Sequence, residues 1–154
     1  MMEFFQWIED SGLGVYIRES NWGFAIALSA HAVGMGTAVG VVMVATLCEL
    51  NVLPKIPVAS FSNLYSVAWS GFFINLISGI ALYTSHATQY SYQAVFIFKL
   101  ALIVVGGVLL KLMIDSAKTN GEEAGKTKLF ALLSLLSWVG AIVTGRLMAY
   151  FFQI

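Results

Sequence analysis

Charge is scarce in this chain: Asp, Glu, Lys and Arg make up 10% of its 154 residues, where an ordinary soluble domain carries roughly 25%. The few charges balance, with 8 basic and 8 acidic residues, so the net charge makes no case for a nucleic-acid partner. There is one cysteine, Cys48, which excludes an intrachain disulfide and any CxxC metal or redox motif. Both prolines, Pro54 and Pro57, fall in one short stretch. The start, MMEFFQWIED, has no basic n-region and no small-residue cleavage site; it is expected to remain on the mature chain.

What fills the sequence instead is hydrocarbon. Hydrophobic residues make up 59% and the mean hydropathy is +0.85. Every long segment between the polar breaks is therefore needed to cross a bilayer, and nothing is left over for a soluble domain. The expected fold is all-α, an integral membrane four-helix bundle with a short N-terminal interfacial helix, forming one domain over residues 1–154.

In chain order, residues 2–19 alternate aromatic and acidic character. Phe4, Phe5, Trp7, Ile8 and Leu13 can share one side and Glu3, Glu9 and Asp10 the other, as in an interfacial helix broken near Ser11-Gly12. Ser20 or Asn21 can cap a first span over about 21–50, which contains the small-residue run Gly34, Gly36 and Gly40. The prolines place a loop at 51–60. A second span, about 61–88, carries Asn75, Gly79, Leu82 and His86 at helical spacing. That stripe should face the bundle interior. Residues 89–93 read as a short turn, 94–116 as a third span and 115–128, DSAKTNGEEAGKTK, as a solvated loop. The fourth span covers about 129–152. Lys55, Lys111, Lys118, Lys126 and Lys128 all belong to the side of the first and third loops, and the other side has Arg18. The positive-inside rule then places those loops in the cytoplasm and both termini outside.

Of the ionisable residues inside or at the edge of spans, four stand out, because every other charged side chain can reach water without a partner: His31, His86, Lys99 and Arg146. Each such residue is a functional-site hypothesis by default. Antiparallel topology brings all four to the outer half of the membrane. No Asp or Glu accompanies them, so a carboxylate proton relay or carboxylate-bound metal is not expected. Two imidazoles on facing helices are a way to hold a haem iron from both sides, with Lys99 and Arg146 neutralising the propionates and Gly34 and Gly79 making room for the macrocycle. Each residue also has a plainer role: His31 in packing, His86 at a helix end, Lys99 snorkelling and Arg146 on a lipid phosphate or a carbonyl.

The segments SNWGFAIALSAHAVGMGTAVG, ISGIALYTSHATQYSYQAVFIFKLALI and WVGAIVTGRLMAYF resemble a family of small, uncharacterised four-helix bacterial inner-membrane proteins. The likeness rests on His31 followed by Gly34, on Phe96 and Lys99 opening the third span, and on Gly145, Arg146, Ala149 and Tyr150. Where many members carry an Asp-x-Arg-Leu pattern, this chain has Glu49-Leu50-Asn51-Val52. The resemblance implies a bacterial inner-membrane location and a four-span fold. More distantly the chain is similar to copper-resistance-D-like proteins and to the four-helix protoporphyrinogen-oxidase family, in which copper or haem is handled.

These readings give three functional expectations. The first is a b-type haem electron-transfer protein, with His31 and His86 as axial ligands and Lys99 and Arg146 as propionate partners, exchanging electrons with quinol or a periplasmic redox partner. The second is copper handling through His31, Met35 and His86, with Met148 nearby in sequence to Arg146. The third is a structural subunit whose glycine faces dock on a larger membrane complex or on copies of itself, the four polar residues then binding a lipid headgroup. No nucleophile with its base and no phosphate-binding loop is present, so hydrolase or transferase chemistry is not expected.

Overall fold

The computed structural model describes residues 2–54, 58–117 and 124–151. Among them the chain forms seven helices and no strand: α1 (Met2–Glu9), α2 (Gly12–Glu19), α3 (Gly23–Glu49), α4 (Val58–Ser85), α5 (Ala87–Tyr92), α6 (Ala94–Ala117) and α7 (Ala124–Phe151). Four of these, α3, α4, α6 and α7, are long and apolar enough to cross a membrane. They run 24 to 28 residues, or about 36–42 Å against a hydrocarbon core of about 30 Å. Their outward residues are apolar and bare, among them Ile77, Ile97, Phe98, Val104 and Leu136, each more than half exposed. A surface of that kind belongs in lipid. The chain is a multi-pass membrane protein.

The helix ends follow from local chemistry. Ser11 breaks the N-terminal segment as expected and caps α2, its hydroxyl accepting from the Gly14 N–H at 3.2 Å. The Ser20 hydroxyl accepts from the Gly23 N–H at 3.2 Å at the start of α3. At the other end of α3, Asn51 adopts φ 58°, a left-handed conformation Asn tolerates well. The N–H of Asn51 bonds to the Cys48 carbonyl and that of Val52 to the Leu47 carbonyl, the paired bonds of a Schellman stop.

Four boundaries differ from the sequence reading, the first being the start of α4 at Val58, inside the stretch 51–60 expected as loop. The second span ends at Ser85, not near 88, because the Ser85 hydroxyl turns back on the Leu82 carbonyl (2.7 Å) and the His86 N–H bonds to Tyr83 three residues back. Residues 87–92, expected to be mostly turn, are the short helix α5. The fourth span starts at Ala124 rather than 129. Lys55, Lys118 and the rest of 118–123 lie outside the described residues.

The chain divides into two compact units. The first comprises Met1–Gly40 and Asn63–Gln93. Here α3 and α4 approach backbone to backbone: a Cβ on Gly34 would stand 2.6 Å from the Asn75 amide nitrogen, and one on Gly71 2.8 Å from that of Ala38. Only glycine permits such contact, and in lipid it is packing of this kind that joins helices. Ile17 of α2, Ala27 of α3 and Leu82 of α4 form a small core beside it. A groove of about 360 Å³ runs along the unit, lined by apolar residues including Ile17, Ala27, Ile74 and Ile77, with Tyr16 and Ser78.

The second unit, Val41–Ser62 and Ala94–Ile154, contains the closely packed pair α6 and α7. Lys99, Gly106 and Met113 recur every seven residues on α6, facing Thr127, Ser134, Ala141 and Met148 together with Ala131, Trp138 and Gly145 on α7. This is coiled-coil periodicity built from small residues. Polar bonds tie it together: Ser134 Oγ donates to the Gly106 carbonyl at 3.1 Å, and the Ser116 and Thr127 hydroxyls bond at 2.8 Å.

Candidate functional site

His31 sits on the face of α3 that meets α4. Its Nδ1 lies 3.0 Å from the Asn75 carbonyl and 3.3 Å from Ser78 Oγ. The single Ser78 hydroxyl hydrogen has carbonyl acceptors on its own helix, Ile74 at 2.6 Å and Asn75 at 3.2 Å. Towards the imidazole Ser78 therefore offers lone pairs, and Nδ1 has acceptors on both sides. The proton belongs on Nδ1, donated across the helix interface, by assignment from the network. The Cε1 edge of the ring rests on Gly79, 3.1 Å from where a Cβ would be. The expected stripe of Asn75 and Gly79 does face α3.

His86 stands between α4 and α5, outside either helix, with φ −147° and ψ 46°. Its ring packs edge-on against Phe24 of α3 (6.4 Å between centroids) and Tyr90 of α5 (6.2 Å). Nδ1 is 2.9 Å from Ser85 Oγ, whose hydrogen is given to the Leu82 carbonyl. By the same reasoning His86 is the Nδ1–H tautomer.

The two imidazoles belong to different layers of the first unit. His31 is level with Gly79 and His86 with Phe24. Seven residues separate Phe24 from His31 along α3, and seven separate Gly79 from His86, so the layers lie about 10 Å apart at 1.5 Å per residue. One metal bound by two imidazole nitrogens needs both within about 2 Å of it. In this arrangement the two rings do not lie side by side at one level of the helix pair. The Gly34 and Gly71 contacts also close α3 onto α4, where space for a macrocycle had been expected. No group of three or more His, Cys, Asp or Glu residues suited to a metal occurs among the described residues. Met148 is buried in the α6–α7 seam of the other unit.

Lys99 and Arg146 belong to the second unit. The Lys99 side chain crosses α7 at Gly145, with Cε and Nζ each 3.4 Å from the position of a Cβ there. Arg146 follows directly and is exposed. Arg18 forms ion pairs with Glu9 and Glu19. Among the described residues no carboxylate pairs with Lys99 or Arg146.

A second polar cluster escaped the sequence reading. Glu9 at the end of α1 accepts from the Thr88 hydroxyl at 2.5 Å and the Thr88 N–H at 3.1 Å, and Arg18 approaches its other oxygen at 3.5 Å. Phe5 packs edge-on against Tyr92 beside it. Burial works against the charge on Glu9, but the two Thr88 bonds, Arg18 and nearby His86 outweigh it and hold the carboxyl below the usual carboxylate range. Glu9 and Thr88 are 79 residues apart, and neither spacing nor composition marks them as partners. No protein family, curated protein or solved structure matches this chain.

Proposed function

We propose that this chain is an interaction subunit of a membrane, associated with lipid, in which the histidines join helices rather than share a haem. The observation that carries this reading is the His31 Nδ1–H, spent on the α4 backbone at 3.0 Å. Such interhelical bonds are the polar glue of membrane bundles, each contributing about 0.6–2 kcal/mol. The Glu9–Thr88 contact supports the same reading at the unit's other polar layer, where it fastens the amphipathic α1 to α5. The resemblance to small four-helix bacterial inner-membrane proteins and the lysine distribution support a location in that membrane with both termini periplasmic.

The discriminating variants are His31→Gln and His31→Ala. Glutamine keeps an N–H donor of similar reach but cannot ligate iron as imidazole does. On this reading His31→Gln retains most of the thermal stability in detergent, while His31→Ala loses about 1–3 kcal/mol by orphaning the site. A Soret band in the purified protein that disappears in both variants would overturn the reading.

One observation favours a second reading, a haem held by His31 alone. A metal-ligating imidazole commonly donates its other ring N–H to a carbonyl, and the Nδ1–H to Asn75 is a bond of that kind. Bound haem would supply one-electron exchange, with His31 Nε2 as its protein ligand. The spectrum would then depend on His31 and not on His86.

A further inference from the structure

Lys99 lies five residues from the first residue of α6 and Arg146 five from the last of α7, each about 7.5 Å from its helix end. Both fall within the lengths apolar enough to span. Lys99 is half-buried and its side chain lies over Gly145, where a glycine leaves room for it. Lys99, lying over Gly145, and Arg146, the next residue of α7, thus stand at one level of the α6–α7 pair, and no carboxylate among the described residues is paired to either. Unpaired charge at such depth costs free energy that an anion would remove.

We infer that Lys99 and Arg146 bind a phosphate, that of an anionic phospholipid headgroup. The chemistry suits it: the Arg fork pairs two phosphate oxygens, and the Lys ammonium supplies a point charge to a third. The surroundings select lipid as the source. Phe98 beside Lys99 and Leu147 beside Arg146 are exposed apolar side chains, as are Val143 and Ile97 on the same two helices. An anion seated between the cations therefore has apolar surface against which acyl chains can lie. The inference deepens the lipid-associated reading above and rests on it for placing this end of the pair in a bilayer.

The test uses the full chain in nanodiscs of phosphatidylglycerol and phosphatidylcholine, then measures retained lipid by mass spectrometry after detergent extraction. The wild type should retain phosphatidylglycerol selectively. Lys99→Gln and Arg146→Gln should each reduce that selectivity, and the double variant should lower it about tenfold, equivalent to about 1.4 kcal/mol. Lys111→Gln, an exposed lysine at the far end of α6, should leave it unchanged. Gly145→Leu retains both cations but fills the lysine's seat, and should also lower selectivity. Size-exclusion elution and far-UV helicity report whether each variant folds, and Arg146→Gln, at an exposed position, serves if Gly145→Leu does not fold. Unchanged selectivity in the double variant would overturn the site. So would binding of inorganic phosphate that the variants lose while lipid retention stays the same, or a haem spectrum that Lys99→Gln removes with lipid retention intact. A His31-dependent Soret band would sink the interaction reading and leave this lipid measurement to stand or fall separately.

Discussion

At the residue scale the glycines of α3 do different work despite their proximity. A Cβ on Gly34 would meet the α4 backbone at 2.6 Å, and one on Gly36 would meet nothing within 4 Å. Backbone cannot yield as a flexible side-chain end can, so Gly34→Ala should cost roughly 1–3 kcal/mol through overpacking. Gly36→Ala should be neutral or slightly stabilising, since alanine favours the helix by up to about 1 kcal/mol. Thermal unfolding of the two variants in the same detergent checks the contrast; equal effects would mean that α3 and α4 are not joined through Gly34. The run Gly34, Gly36, Gly40 was legible in the sequence as a packing feature. Which glycine packs was not, because Gly71, the reciprocal partner, lies 37 positions away in an otherwise unremarkable segment, and helical phase alone does not choose between Gly34 and Gly36.

At the element scale, the attachment of α1 to α5 depends on an ionised carboxylate. The folded-state pKa of Glu9 is depressed, so its contribution is present above the unfolded value, about 4.3, and is lost as pH falls through the lower folded value. A nitroxide at Gln6, an exposed position on α1, should show restricted motion at neutral pH and greater mobility once pH drops well below 4. Glu9→Gln should be mobile at both. A wild-type label that stays immobile down to pH 2 would mean that Phe5 and Tyr92, rather than Glu9 and Thr88, hold the helix. The four spans and the break at Ser11 could be read from hydropathy and turn chemistry. The extra helix α5 could not, since ATQYSY offers no strong helix former beyond Ala and Gln, and its stability comes from contacts with α1 that are remote in sequence.

For the molecule as a whole, the lysine distribution predicts which ends face which compartment. In intact cells carrying the Cys48→Ala background, a cysteine at Gly125, exposed at the start of α7, should resist a membrane-impermeant maleimide, while one at Glu3 on α1 should react. The reverse pattern would invert the topology. The candidate site shows where sequence reasoning reaches its end. Topology by itself placed His31, His86, Lys99 and Arg146 in one half of the membrane, but a half-membrane is about 15 Å deep, and ligand geometry is decided within about 2 Å. His31 and His86 share a helix pair and still fall in separate layers.

The most direct measurement is the absorption spectrum of the detergent-purified protein, oxidised and then dithionite-reduced, with haem supplied during expression. Imidazoles used to join helices in two layers predict no low-spin b-type spectrum, in the wild type or in either His→Ala variant. A low-spin b-type spectrum in the wild type that is lost or converted in both His31→Ala and His86→Ala would contradict that assignment, because only two imidazoles on one iron give that dependence.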